Sequence, residues 1–212
     1  MIVRWLDRWI LRRPFEGDGA RRYARDARPA FGDLDARLVR LVTPGGSSPR
    51  TLLELGCGPA SFAIAARAAN PGMRVIAIDP SREFARPIGG IDVIRAEGEH
   101  LPLADGAIDH AVCLSSIRHV RDRLATLREL RRVVRPGGAL TIVELDPAAS
   151  AARIANHASA LGTRVLRRAF GPLVCRTAPP AGAIIDLAVR AGWQVRSRTD
   201  DAIQPVYILE LR

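Results

Sequence analysis

Glu54-Leu55-Gly56-Cys57-Gly58 closes a short apolar run, and Asp79 ends the next one, 21 residues after Gly58. Glycines at 56 and 58 allow backbone angles closed to other residues and leave no Cβ between chain and ligand. A helix opening near Ala60 would add free N–H groups and the positive end of its dipole. A carboxylate at the tip of the second strand can accept hydrogen bonds from ribose hydroxyls. Together these parts predict a site for an adenosine-containing ligand. A glycine turn alone does not choose between ligands, but three further features do. Glu54 places a carboxylate where a cationic amino group can pair with it, whereas a pyrophosphate would be repelled. The third glycine of a dinucleotide fingerprint is missing, since Gly56-x-Gly58-x-x leads to Ser61. Glu97 and Gly98, after a third strand, supply an acceptor and a backbone amide for an adenine edge.

The elements that must hold these residues alternate. Strands are expected at 51–55, 74–79, 92–95, 109–114 and 139–144, with helices over 60–69 and 121–134 between them. This order predicts parallel strands joined by right-handed crossovers. The last two strands, 194–199 and 206–211, are too close for a crossover helix and must be antiparallel if they pair. The expected fold is therefore α/β and Rossmann-like. It is a doubly wound, mostly parallel seven-stranded sheet with a C-terminal antiparallel hairpin. Residues 1–49 read as an N-terminal helical cap and 50–212 as the binding domain. A helix over 148–171 lies outside the alternation, making 148–180 an insertion expected to wall a substrate pocket and to include His157.

The ordered motifs resemble the class I S-adenosylmethionine-dependent methyltransferases, most closely the type 11 group. The matching segments begin with Leu52–Pro59 and Val75–Ser81. They continue with Glu97–Leu103, Ala104–Asp109 and Leu130–Leu140. The resemblance is close over 50–146 and looser over 180–212. It implies S-adenosylmethionine as cofactor, with Glu54 and Gly56 on its methionine part and Gly58 in the same turn. Asp79 would take the ribose, Pro80 the adenine face, and Glu97 and Gly98 the adenine edge. Cys113 would line the methionine side. Ala60 stands where many members carry a third glycine, a tolerable change. Ser115–His119 replaces an apolar stretch that often ends in paired histidines, with Arg118 in place of the first.

Methyl transfer to a hydroxyl or ammonium group needs a base as well as positioning. His119, after the fourth strand, is the candidate, because imidazole ordinarily titrates near neutrality. Arg118 would be a surface side chain or a partner for an acidic substrate group. Neither the tetrad of amino-group methylation, Asn-Pro-Pro-aromatic, nor the paired carboxylates of a magnesium-dependent catechol enzyme is present. The expected acceptor is a small molecule, methylated on oxygen or nitrogen more than on carbon. An RNA or lipid methyltransferase, a non-catalytic binding protein and, last, a nicotinamide oxidoreductase are the alternatives.

Composition bounds the partners. All 32 basic residues are arginine and the net charge is +10. They are scattered, as a GC-rich coding bias would leave them, and not gathered into a nucleic-acid face. Three separated cysteines form no metal or redox pair and suit a reducing, cytoplasmic setting. No run approaches the roughly 20 apolar residues of a membrane span. Residues 1–13 put Ile2, Trp5, Leu6, Trp9 and Ile10 on one helical face bordered by arginines. That face is expected to cover the cleft, with peripheral membrane contact as the alternative.

Overall fold

The structure, a computed structural model, describes residues 15–44 and 49–212. The helix expected over 1–13 and most of the loop before Pro49 lie outside the described residues.

Seven strands form one sheet: β1 Thr51–Leu55, β2 Arg74–Ile78, β3 Asp92–Ile94, β4 Ile108–Leu114, β5 Val134–Leu145, β6 Val195–Asp200 and β7 Val206–Leu211. Their order is β3-β2-β1-β4-β5-β7-β6. Pairings among β1 to β5 are parallel, and β7 runs antiparallel to both β5 and β6. The seven-stranded sheet with its terminal hairpin is the architecture expected. The order reverses beside β1, which puts a crevice at the carboxyl ends of β1 and β4.

Period-2 alternation divides the strand side chains between two cores. Leu52, Val75, Val112, Leu114 and Val143 face α2 (Leu34–Val42) and α3 (Ser61–Ala69), meeting Leu34, Leu38, Phe62 and Ala66. Leu53, Ile76, Ala111, Cys113 and Ile142 face α4 (Arg123–Val133) and α7 (Ala181–Arg190), meeting Leu127, Leu130 and Ile184. Burial on both faces is why the central strands read as continuous apolar runs.

Two regions differ from the sequence expectation. Within the helical cap expected over 1–49, residues 17–31 form α1 (Gly17–Arg22), a wide turn Tyr23–Ala27 and a tight turn Arg28–Phe31 in place of one regular helix. Tertiary contacts supply the order there: Arg28 pairs with Asp35 at 2.5 Å, and Gln204 Nε2 donates to the carbonyls of Ala30 and Phe31 at 3.2 and 3.0 Å. The helix expected over 148–171 is split into α5 (Ala151–Ser159) and α6 (Arg164–Ala169), followed by a wide turn Phe170–Cys175. Gly162 marks the split. Its N–H donates to the Asp26 carbonyl at 2.7 Å, and a Cβ there would lie 2.9 Å from the Asp26 Cα. The chain leaves its helix to meet the cap.

Candidate functional site

The crevice holds a cavity of about 140 Å³. Its floor is the turn after β1. Gly56 and Gly58 both take left-handed backbone angles, with φ of 70° and 52°. Ala60 shares that region at φ 57°, a conformation that costs a residue with a Cβ about 1–2 kcal/mol. The alanine is therefore accommodated at a cost where a glycine would fit freely.

Asp79 closes the turn from the side. Its Oδ2 accepts from the Gly58 N–H at 2.8 Å and its Oδ1 from the Ser81 N–H at 2.9 Å. Burial raises its pKa, and these two amides pull it back down. Both oxygens keep a lone pair for a ligand hydroxyl. Pro80, Glu97 and Gly98 line the same end of the cavity. Gly98 also serves packing, since a Cβ there would lie 2.9 Å from Thr126 Cγ2 on α4.

Glu54 is almost fully buried, and its Oε2 accepts from the Ala63 N–H in the first turn of α3 at 2.9 Å. Desolvation pushes its pKa up to about 8, against the pull of the Arg28 guanidinium. A cationic group arriving beside it would restore the carboxylate.

Residues 15–31 form the roof, whose contribution the sequence reading did not identify. Phe15, Glu16, Tyr23 and Arg28 all line the cavity. The Tyr23 ring lies 3.7 Å from where a Gly58 Cβ would stand, and its edge meets the rings of Phe15 and Phe84. No short-range periodicity announces these contacts. The only local signal was an aromatic residue between two glycine-containing breaks.

Three expectations at the far end change. Cys113 is fully buried in the core under α4 and is absent from the cavity lining. Its neighbours Leu114, Ser115 and Ser116 line the cavity instead, because adjacent strand residues face opposite sides. Desolvation raises its thiol pKa to about 12. Arg118 is neither a surface side chain nor free for a substrate. Its Nη2 donates to the Val174 carbonyl at 3.0 Å, and its backbone N–H donates to the buried Glu144 carboxylate at 3.3 Å. The insertion 148–180 contributes nothing to the cavity wall. His157 stacks on Phe170 at 4.3 Å and bonds Gln204 at 2.7 Å, bracing the cap from behind.

His119 does reach the cavity, beside Val120 and against the Phe15 ring at 4.8 Å. Its Nδ1 is buried without a hydrogen-bond partner among the described residues. Desolvation, then the charges of Arg118 and Arg123, lower its pKa to about 3. The imidazole is therefore neutral at physiological pH but far less basic than an ordinary histidine.

Among the described residues the lining carries five carboxylate residues (Glu16, Glu54, Asp79, Glu97, Glu99) against two arginines, Arg28 and Arg95. That balance suits a ligand bearing ammonium and sulfonium charges and opposes a pyrophosphate. The glycine turn, the open lone pairs of Asp79 and the buried Glu54 are groups that could receive S-adenosylmethionine.

Comparison with known proteins agrees. Residues 53–142 match the type 11 methyltransferase domain family. An uncharacterized methyltransferase of Mycobacterium is 44% identical over 104 residues, covering 46% of this chain and 38% of that protein. A human thiol S-methyltransferase is 36% identical over 124 residues, covering 53% of this chain and 48% of that protein. The chain spans roughly a third to a half of the length of the curated relatives it matches, 32% to 48% in these comparisons. A crystal structure of an S-adenosylmethionine-dependent methyltransferase from Aquifex aeolicus superposes with a TM-score of 0.67 at 17% identity, covering 87% of this chain and 92% of that one. Residues 53–142 are thus similar to the type 11 methyltransferase domain, the chain has the fold of an S-adenosylmethionine-dependent methyltransferase, and the two together imply S-adenosylmethionine as cofactor.

Proposed function

We propose that the protein transfers the methyl group of S-adenosylmethionine to a heteroatom of a small molecule. The observation that carries this reading is the continuity of the cavity. One space runs from the Asp79 and Glu97 end, over Gly56, to His119 and Val120 beneath Phe15.

The cofactor, when bound, supplies an electrophilic methyl group on a good leaving group. The chain supplies position and exclusion of water. Gly56, Asp79, Glu54 and Glu97 fix the donor end, and the roof residues Phe15 and Tyr23 close over it. The neutral His119 orients the acceptor through a hydrogen bond at Nδ1 and is too weak a base to draw a proton from an alcohol. Acceptors that release their proton readily, or carry a free lone pair, are favoured: amines, acidic hydroxyls, and thiols such as the human relative's name describes.

A labelled-methyl transfer screen over small molecules graded by acceptor atom and acidity tests the reading. Transfer to thiols, amines or acidic phenols is expected. Calorimetry showing no binding of S-adenosylhomocysteine to folded protein would overturn the site itself. Transfer confined to carbon acceptors or to RNA would overturn the acceptor class alone.

A further inference from the structure

Residues 147–185 contain five arginines and no aspartate or glutamate. This stretch spans α5, α6, the wide turn after them and the start of α7. Its exposed side chains are apolar as well as cationic. Val165 is 76% exposed and Leu173 69%, with Val174 beside it. Arg164, Arg167, Arg168 and Arg176 are exposed on the same segment. Arg167 bonds the Leu161 carbonyl and Arg176 the Pro147 carbonyl, so neither contact neutralises their charge.

We propose that this face, residues 164–176, docks on the surface of an anionic lipid bilayer. Exposed aliphatic side chains interspersed with exposed arginines along residues 164–176 match the two components of an interface, acyl boundary and acidic headgroup. A nucleic-acid partner is less well matched. Single-strand binding draws on aromatic stacking platforms, and Phe170, the only aromatic residue of the segment, is buried in the core. The face is also coupled to the site. The Val174 carbonyl receives Arg118, whose neighbour His119 lines the cavity, and Gly162 is bonded to Asp26 of the roof. Docking would bring the roof and the acceptor end of the cavity to the lipid surface. The inference stands on this face alone and survives a change of acceptor.

Flotation of the full chain with phosphatidylcholine vesicles, with and without phosphatidylglycerol, tests it. Binding is expected only with the anionic lipid, weakening as salt rises. Val165→Glu with Leu173→Glu should lower it at least tenfold. Arg164→Gln with Arg168→Gln should lower it by about fivefold per charge. Unchanged affinity for S-adenosylhomocysteine verifies each variant's fold, and Val165→Ser with Leu173→Ser replaces the glutamates if it is lost. The proposal is overturned if the wild-type chain ignores anionic vesicles, or if the apolar variants bind them as well as wild type. It is equally overturned if these arginines prove to bind single-stranded RNA in preference to vesicles at matched salt.

Discussion

Gly56 and Ser116 touch across the head of the cavity so closely that a Cβ on Gly56 would lie 2.4 Å from the Ser116 Cβ. The Ser116 Oγ is fixed there by donating to the Leu55 carbonyl at 2.7 Å, which ties the end of β4 to the turn after β1. Gly56 thus answers two demands, a left-handed φ of 70° and this contact. Gly56→Ala should cost ~1–2 kcal/mol for the backbone and ~1–3 kcal/mol for the overpacking. Denaturant unfolding should show the loss, with weakened S-adenosylhomocysteine binding by calorimetry. Adding Ser116→Gly should recover the packing part only.

Asp79→Ala should reduce S-adenosylhomocysteine affinity by ten- to a hundredfold, because it removes the ribose acceptors and frees the Gly58 and Ser81 amides that shape the turn. This corresponds to about 1.4–2.8 kcal/mol. Adenosine should lose a similar factor and methionine almost none. Equal losses for both would move the ribose away from Asp79.

Stability of the ligand-free protein should fall as pH rises from 6.5 to 8. Glu54 and Glu144 have folded pKa values of about 8 and about 7, raised by burial above the unfolded carboxylate value. Such groups favour the folded state when protonated, and that contribution is lost as pH passes the folded pKa. His110 and His119 have lowered pKa values of about 4 and about 3 and are neutral in this window. They contribute at lower pH, where they are neutral in the folded protein but still protonated in the unfolded chain, so stability rises with pH until the unfolded histidines lose their protons. The slope is bounded by ~1.4 kcal/mol per pH unit for each proton. Chemical denaturation at fixed pH values measures it, and Glu54→Gln should flatten the fall near pH 8.

His119→Asn should lower kcat/KM for the methyl acceptor by about ten- to a hundredfold, in line with the loss of an orienting hydrogen bond. Affinity for S-adenosylhomocysteine should stay within about twofold of wild type. Because the imidazole titrates near 3, the variant's pH–rate profile between 6 and 9 should keep its shape and follow the acceptor's own ionisation. A limb near pH 6.5 that vanishes in the variant would restore the histidine to the part of an ordinary base.

Gln204→Ala should loosen the roof. The side chain joins the carbonyls of Ala30 and Phe31 to His157, which stacks on Phe170. Its removal leaves three buried partners unsatisfied, at about 1–3 kcal/mol each if none finds water. Faster dissociation of S-adenosylhomocysteine, with hydrogen exchange increased in residues 17–31, is the expected signature. Exchange unchanged in that segment would mean the roof is held elsewhere.

The sequence by itself determined the parts whose signals are local. Gly56 and Gly58 at a strand's end, Asp79 at the tip of the next, and the short link before β7 each state their role within a few residues. Their spacing sufficed for the cradle, the parallel sheet and the antiparallel hairpin. Tertiary structure decided everything that depends on what faces what. Cys113 stands one residue from the cavity yet points into the opposite core, because strand alternation is fixed only once both faces have partners. His119 was legible as a residue near the site, but its weak basicity comes from burial and from Arg118 and Arg123 gathering around it. Residues 17–31 carry too many breaks to predict an ordered roof. Asp35 and Gln204 hold them there, and Gly162 leaves its helix to meet Asp26. The turn after β1 and the carboxylate beside it could be read because a glycine turn and a strand-end carboxylate are local devices. The acceptor end could not, because its shape and protonation arise from contacts between segments distant in the chain.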